Sequence, residues 1–215
     1  MRRLTVGERA DVTDGAGTVA ECVVAAVRPA ELELTVLSVR SEPRPEPRLA
    51  VLQAIPKGER GELAVELLTE VGADVIVPWA ADRCVAVWRG DRAGKGAARW
   101  RSAAVQAAKQ SRRAWFPEVP EQADRAAAVR RVREAALAII LDPDADQPLA
   151  TAALPATGEI LLVVGPEGGI SPAEDEAFRA AGAVAARLGP TVLRASSAGV
   201  VATGLVLSRT ARWAE

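Results

Sequence analysis

The stretch that most restricts the fold is Ile160-Leu161-Leu162-Val163-Val164, which runs into Gly165-Pro166-Glu167-Gly168-Gly169 and then into Ser171-Pro172-Ala173-Glu174. A short, wholly apolar run suits a central strand of a mostly parallel sheet covered on both faces. The final four residues form a capping box, with Ser171 as N-cap, Pro172 at the first helical position and Glu174 at the third. The chain thus passes from strand through glycine-rich loop to helix start. Open α/β sheets bind ligands at this kind of junction, outside the carboxyl ends of the strands, where glycines let a ligand reach backbone amides. A tight structural turn is the alternative use of the same loop. The chain contains no G-x-x-x-x-G-K-[ST] loop and no G-x-G-x-x-G after a strand, so ATP hydrolysis and dinucleotide binding lose their support.

Around this junction, strands alternate with helices, the pattern of an α/β domain. Strands are expected over 49–55, 73–77 (ended by Pro78), 137–141, 159–164 and 183–188, and helices over 58–71, 91–113, 125–136 and 196–212. In the first helix Leu63, Leu67, Leu68 and Val71 fall at helical spacing, and Gly72 is placed to end it as a left-handed residue. In the helix over 91–113, Ala97, Trp100, Ala104, Ala107 and Ala108 point inward, leaving most of its arginines and lysines outward. Residues 1 to 40 read differently, as a small β module with strands over 18–27 and 32–39 after a turn at Asp14-Gly15-Ala16-Gly17. Alternate prolines in Ser41-Glu42-Pro43-Arg44-Pro45-Glu46-Pro47-Arg48 favour an extended connection, and the domain boundary is placed there: a β module over 1–45 and an α/β domain over 49–215.

Charge and residue usage narrow the chemistry. The net charge is −1, yet between Arg83 and Arg113 nine basic residues stand against the single acid Asp91, while 135–186 carries eight acids against Arg179. The basic stretch suits an RNA-binding face or, equally, a solvated helix surface. No histidine occurs, which removes the commonest general base, the commonest metal ligand and every Ser-His-Asp or Cys-His arrangement. Cys22 and Cys84 form no C-x-x-C pair, so neither a disulfide framework nor a zinc site is suggested. No run of eighteen apolar residues and no leader-like segment is seen, and a cytoplasmic protein with no membrane association is expected.

A second strand-end loop, Arg187-Leu188-Gly189-Pro190-Thr191-Val192-Leu193-Arg194, precedes a helix rich in small residues (Ala198, Gly199, Ala202, Thr203, Gly204) that invite close packing. L-V-V-G-P-E-G-G-I-S-P-x-E at 162–174 together with R-L-G-P-T-V-L-R at 187–194 resembles the ribosomal RNA small subunit methyltransferase E family. Lys57-Gly58-Glu59-Arg60, Thr69-Glu70-Val71-Gly72-Ala73, Arg99-Trp100 and Gln110-Ser111-Arg112-Arg113 agree in order and spacing, so the resemblance covers nearly the whole chain.

The resemblance implies a PUA-like N-terminal β-barrel, here incomplete at its N-terminus, a C-terminal SPOUT domain with a trefoil knot, and a homodimer. It also implies methyl transfer from S-adenosyl-L-methionine to N3 of a uridine in 16S rRNA, with the small ribosomal subunit as the context and no metal. Carried over by position, the cofactor residues are Val164, Gly165, Pro166, Glu167, Gly168 and Gly169 in the first loop. The second loop contributes Leu188, Gly189, Pro190 and Leu193, with the backbone of Leu188, Gly189 and Leu193 holding the adenine. Where the family has Glu-Thr-Ala, this chain has Ser196-Ser197-Ala198, and Ser196 takes that place through a hydroxyl hydrogen bond. Arg194 is the catalytic candidate: its fixed charge suits a uridine anion developing at O2 or O4, a role that needs no histidine. Arg60, Arg83, Lys109, Arg112 and Arg113 are the candidate RNA contacts. A methyltransferase of another RNA such as tRNA, and a non-catalytic RNA-binding protein, are the competing functions.

Overall fold

The computed structural model describes residues 4–58, 60–86 and 88–214, and leaves the side chains of Asp91 and Arg92 undescribed. Glu59 of the Lys57–Arg60 motif therefore lies outside the described residues. The chain divides into two units. The smaller contains the chain up to Arg44 together with Arg112–Phe116, and the larger contains Pro45–Ser111 and Pro117–Glu215.

In the smaller unit β1 (Arg9–Thr13), β2 (Thr18–Arg28) and β3 (Glu31–Ser41) form an antiparallel meander in the order β1-β2-β3. The expected strands are present, and among the described residues they form a three-stranded antiparallel sheet. Arg112–Phe116 joins this unit: Gly17 donates to the Ala114 carbonyl, Phe116 to the Gly15 carbonyl, and the Trp115 indole N–H to the Glu42 carbonyl. A Cβ on Gly17 would sit 2.7 Å from the Trp115 ring, so the turn residue must be glycine for the indole to lie there.

The larger unit is an α/β layer structure. Its parallel sheet has the order β5-β4-β7-β6-β8, from β4 (Arg48–Ala54), β5 (Val75–Trp79), β6 (Leu137–Leu141), β7 (Glu159–Val164) and β8 (Val184–Ala186). The aliphatic run Ile160–Val164 lies in β7, the central strand. Alternate residues of β4 enter two separate cores, Leu49 and Val51 on one face, Ala50, Leu52 and Ala54 on the other. Helices α1 (Arg60–Val71), α2 (Asp91–Gln110) and α5 (Ala195–Leu207) cover the first face through Val65, Leu68, Trp100, Ala202 and Val206. The second face is covered by α3 (Arg125–Glu134) and α4 (Pro172–Ala180) through Ala128, Val132 and Phe178.

Several sequence expectations are corrected. Leu63 is exposed and Leu67 half-buried, because Gly61, Ala64, Val65 and Leu68 form the inward face of α1. Pro78 lies inside β5 rather than ending it. This is the sheet's edge strand, and Ile76 N–H and the Pro78 carbonyl pair outward with Glu118 and Ala123 rather than with β4. The missing proline N–H thus removes no bond of the main ladder. The helix over 91–113 stops at Gln110, and Arg112 takes a left-handed φ of 55° where the chain enters the smaller unit. The last helix ends at Leu207 and is followed by a short 3-10 turn at Ala211–Trp213. Gly72 behaves as expected: its φ is 113°, its N–H donates to the Thr69 carbonyl and that of Ala73 to Leu68, closing a Schellman motif. No helix among the described residues is long and apolar enough to cross a membrane.

Candidate active site

At the carboxyl ends of β6 and β7 lies a cavity of about 760 Å³, within the range that small-molecule sites occupy. Its floor is Ile140, Leu141 and Val164 at the strand ends. One wall is the glycine-rich loop, the other the loop 188–194 that leads from β8 into α5. The glycine-rich loop and the helix start that follows it are fixed by local contacts. The capping box fixes the start of α4: the Ser171 hydroxyl accepts from Glu174 N–H, and the Glu174 carboxylate accepts from Ser171 N–H at 2.9 Å. Gly169 closes a turn by donating to the Pro166 carbonyl, with φ 74°, which a β-carbon disfavours. A Cβ on Gly165 would come within 2.8 Å of the Ile170 side chain. These constraints hold the loop open as a cradle around the cavity.

Val164, Gly165, Pro166, Glu167 and Gly169 of the expected first loop line this cavity, as do Leu188, Gly189 and Leu193 of the second. Gly168, Pro190 and Ser196 do not. Gly168 instead faces Arg83, whose Nη1 donates to the Gly168 carbonyl at 3.1 Å. Pro190 is exposed and Ser196 is buried in the first turn of α5. The structure therefore gives Ser196 a packing position rather than a wall position. Arg194 lines the cavity as the N-cap residue of α5 and is exposed. Its guanidinium makes no hydrogen bond or ion pair among the described residues, while its carbonyl accepts from Ser197 and Ala198.

The small residues of α5 serve close packing. A Cβ on Gly199 would stand 3.2 Å from Val164 Cγ2, 3.3 Å from the Gln53 amide oxygen and 3.5 Å from Leu68. The helix thus lies directly on β4, β7 and α1, bringing its first turn to the end of the central strand.

Of the RNA-contact candidates, Arg83 lies at the cavity rim. Arg60 opens α1 and Lys109 lies in the last turn of α2, both exposed. Arg112 and Arg113 belong to the smaller unit, so they are not on the helix face where the sequence placed them. Two other arginines of the basic stretch have structural partners: Arg99 pairs with Glu62, and Arg101 with Glu121 and the Val119 carbonyl.

The acids were missed by sequence reasoning. Asp142 and Asp144, just past β6, and Asp175, in the first turn of α4, line the cavity with Glu167. Asp175 and Asp142 also pair with Arg179, at 2.7 and 3.9 Å, so four carboxylates meet three guanidiniums, Arg83, Arg179 and Arg194, and the wall keeps only a small negative excess, carried by Glu167 and Asp144, that suits a cationic ligand. The signal available was the position of Asp142 immediately after a strand's carboxyl end. Among the described residues no group of three or more His, Cys, Asp or Glu side chains is arranged to hold a metal ion.

The profile of the RNA methyltransferase domain family matches residues 43–207. The ribosomal RNA small subunit methyltransferase E of Mycobacterium bovis is 46% identical over 217 residues, covering 99% of this chain and 83% of that protein. The chain belongs to the ribosomal RNA small subunit methyltransferase E family. The member of that family from Bacillus subtilis is 26% identical over 98% of this chain and 85% of its own length. Among solved structures, a Legionella pneumophila methyltransferase in complex with the bound cofactor SAM superposes with a TM-score of 0.84 at 25% identity, covering 96% of this chain and 85% of that one. The Neisseria gonorrhoeae family member bound to S-adenosyl methionine gives 0.85 at 24% identity, over 96% of this chain and 85% of that one, a likeness of fold. In this family member the two motifs that carried the resemblance form the two opposing walls of the cavity.

Proposed function

We propose that this chain transfers a methyl group from S-adenosyl-L-methionine to N3 of a uridine in 16S rRNA, with the cavity at the ends of β6 and β7 as the cofactor site. The observation that carries the reading is the placing of an unpaired guanidinium, that of Arg194, on the wall of a glycine-cradled cavity of adequate size. The likeness to two proteins crystallised with this cofactor supports the same choice. The residues present fit it: glycines at 165 and 169 leave backbone within reach, and the excess of carboxylates suits a sulfonium and an ammonium. When bound, the cofactor supplies an electrophilic methyl group.

The rest of the chemistry belongs to the chain. Uridine N3 carries a proton and attacks poorly until that proton passes to solvent; the negative charge that then develops spreads onto O2 and O4, and it is discharged as the N3–methyl bond forms and the methyl–sulfur bond breaks. Arg194 places a fixed positive charge where that charge appears, which lowers the barrier without transferring a proton. The two loops hold cofactor and base in line, converting an encounter into an oriented reaction. The return of the chain from β8 at the sheet edge to α5 over the central strands supports the knotted SPOUT topology we assign to the larger unit. The β-meander with Arg112 and Arg113 is the RNA-binding unit in this reading, a PUA-like module, and a homodimer acting on the small subunit completes it.

The deciding experiment supplies labelled cofactor, purified protein and small ribosomal subunits from cells lacking the modification, with base-resolved mapping of the product. Label at uridine N3 of 16S rRNA is expected. Label on another base, or on tRNA ribose, overturns the substrate. No calorimetric heat with S-adenosylmethionine leaves only an RNA-binding protein.

A further inference from the structure

Glu174 is fully buried, and a buried carboxylate is tolerated only when its oxygens are satisfied. A capping box accounts for one of them, through Ser171 N–H. The other accepts at 2.7 Å from the backbone N–H of Asp82, a residue of the loop that follows β5. The Asp82 side chain returns the contact: its Oδ2 accepts from the Ser171 hydroxyl at 2.8 Å and pairs with Arg125. The neighbouring Arg83 binds the Gly168 carbonyl. Three separate ties thus join loop 80–84 to the segment 168–174, and a helix start needs none of them.

We propose that Asp82 is a positioning residue: its carboxylate, tied to Ser171, holds the glycine-rich loop in its ligand-ready shape. The proposal rests on reading the cavity as the cofactor site. The ties grip the outer side of a segment whose inner side, through Gly165, Pro166 and Gly169, forms the cavity wall. Helix α4 does not depend on them for its place, because Phe178 is fully buried and packs edge-on against Trp79 with ring centroids 5.3 Å apart. Cutting the ties therefore frees the loop while leaving the helix docked. A loop ordered before the ligand arrives spares the ligand the cost of ordering it, so the ties act on affinity and not on the chemical step. The Ser171 hydroxyl, and then Arg125, hold the Asp82 carboxyl below its ordinary range, keeping it an acceptor.

The test compares the full-length wild type with Asp82→Ala and Asp82→Asn. For Asp82→Ala, Kd and KM for S-adenosylmethionine rise about tenfold or more with kcat within about twofold, the split expected when binding alone is weakened. Amide exchange of Gly168, Gly169 and Ile170 in the ligand-free protein quickens while β7 and α5 amides keep their protection. Asp82→Asn, which retains an acceptor for Ser171, falls nearer to wild type in both readouts. If the wild type binds the cofactor and Asp82→Ala binds it equally with unchanged exchange, the positioning role is overturned and the cavity reading stands. A fall in kcat at unchanged KM, or loss of exchange protection throughout the larger unit, overturns it as well. Absence of binding by the wild type sinks the cavity reading itself.

Discussion

Arg194 owes its exposure to its position as the last extended residue before α5, with φ −67° and ψ 151°, where the side chain projects from the helix start instead of packing along it. Its guanidinium makes no direct hydrogen bond or ion pair among the described residues, so it is available to a substrate. Arg194→Ala is expected to reduce methyl transfer below detection while the calorimetric Kd for S-adenosylmethionine changes by less than about threefold, since oxyanion-type contacts act on the transition state rather than on the cofactor. Wild-type turnover in that variant removes Arg194 from the mechanism. Cys84 gives a prediction of a different kind. Burial, followed by the nearby charges of Glu167 and Glu174, pushes its thiol above the ordinary 9.0. The thiolate is the reactive form, so alkylation at pH 8 should be slower than for a free thiol and accelerate only as pH climbs beyond 9.0. Peptide mapping of iodoacetamide adducts across pH 7 to 10 checks it.

Helix α5 shows how an element can be weak alone and strong in place. Its glycines and threonine lower intrinsic helix stability, and contact with β7, β4 and α1 is what holds it. Gly199→Val should therefore destabilise by about 1–3 kcal/mol, because new carbons enter a gap of 3.2–3.5 Å bounded by Val164, Gln53 and Leu68. A shift in the denaturant midpoint at unchanged slope measures it, and an unshifted midpoint means the sheet gives way freely. For α4 the decisive contact lies at its other end. Phe178→Ala is expected to cost about 3–5 kcal/mol through loss of a fully buried ring against Trp79. Asp82 adds a pH statement at this scale. Its pKa is lowered in the folded chain, so its contribution is present above the ordinary 3.8 and is lost only as pH falls through the lowered value. Exchange protection of Gly168 and Gly169 should consequently stay level as pH is brought from 8 down to about 5, once intrinsic exchange rates are divided out.

For the molecule as a whole, ligand binding and folding are linked. Cofactor at about 100 times its Kd should stabilise the larger unit by about 2.7 kcal/mol, read as a rise in Tm that grows with ligand concentration. RNA association depends on summed charge. The double reversal Arg112→Glu, Arg113→Glu should weaken binding to small subunits and flatten its dependence on salt, because fewer counterions are released. A salt curve matching wild type removes both residues from the interface.

The alternation of apolar strands with amphipathic helices determined the α/β class, the positions of β6 and β7 and the capping box of α4, because these depend on local periodicity and on neighbours three or four residues apart. The same locality explains the errors. Whether Leu63 or Ala64 faces inward depends on what lies opposite α1, Pro78 is tolerated only because β5 is an edge, and Arg112 leaves its helix because residues 112–116 bond to the smaller unit. The motifs named the two loops, but the cavity between them exists only once β6, β7 and β8 lie side by side. The carboxylates on its wall and the Asp82–Ser171–Glu174 ties join residues up to 92 positions apart, and such pairings carry no local signature for a sequence to display.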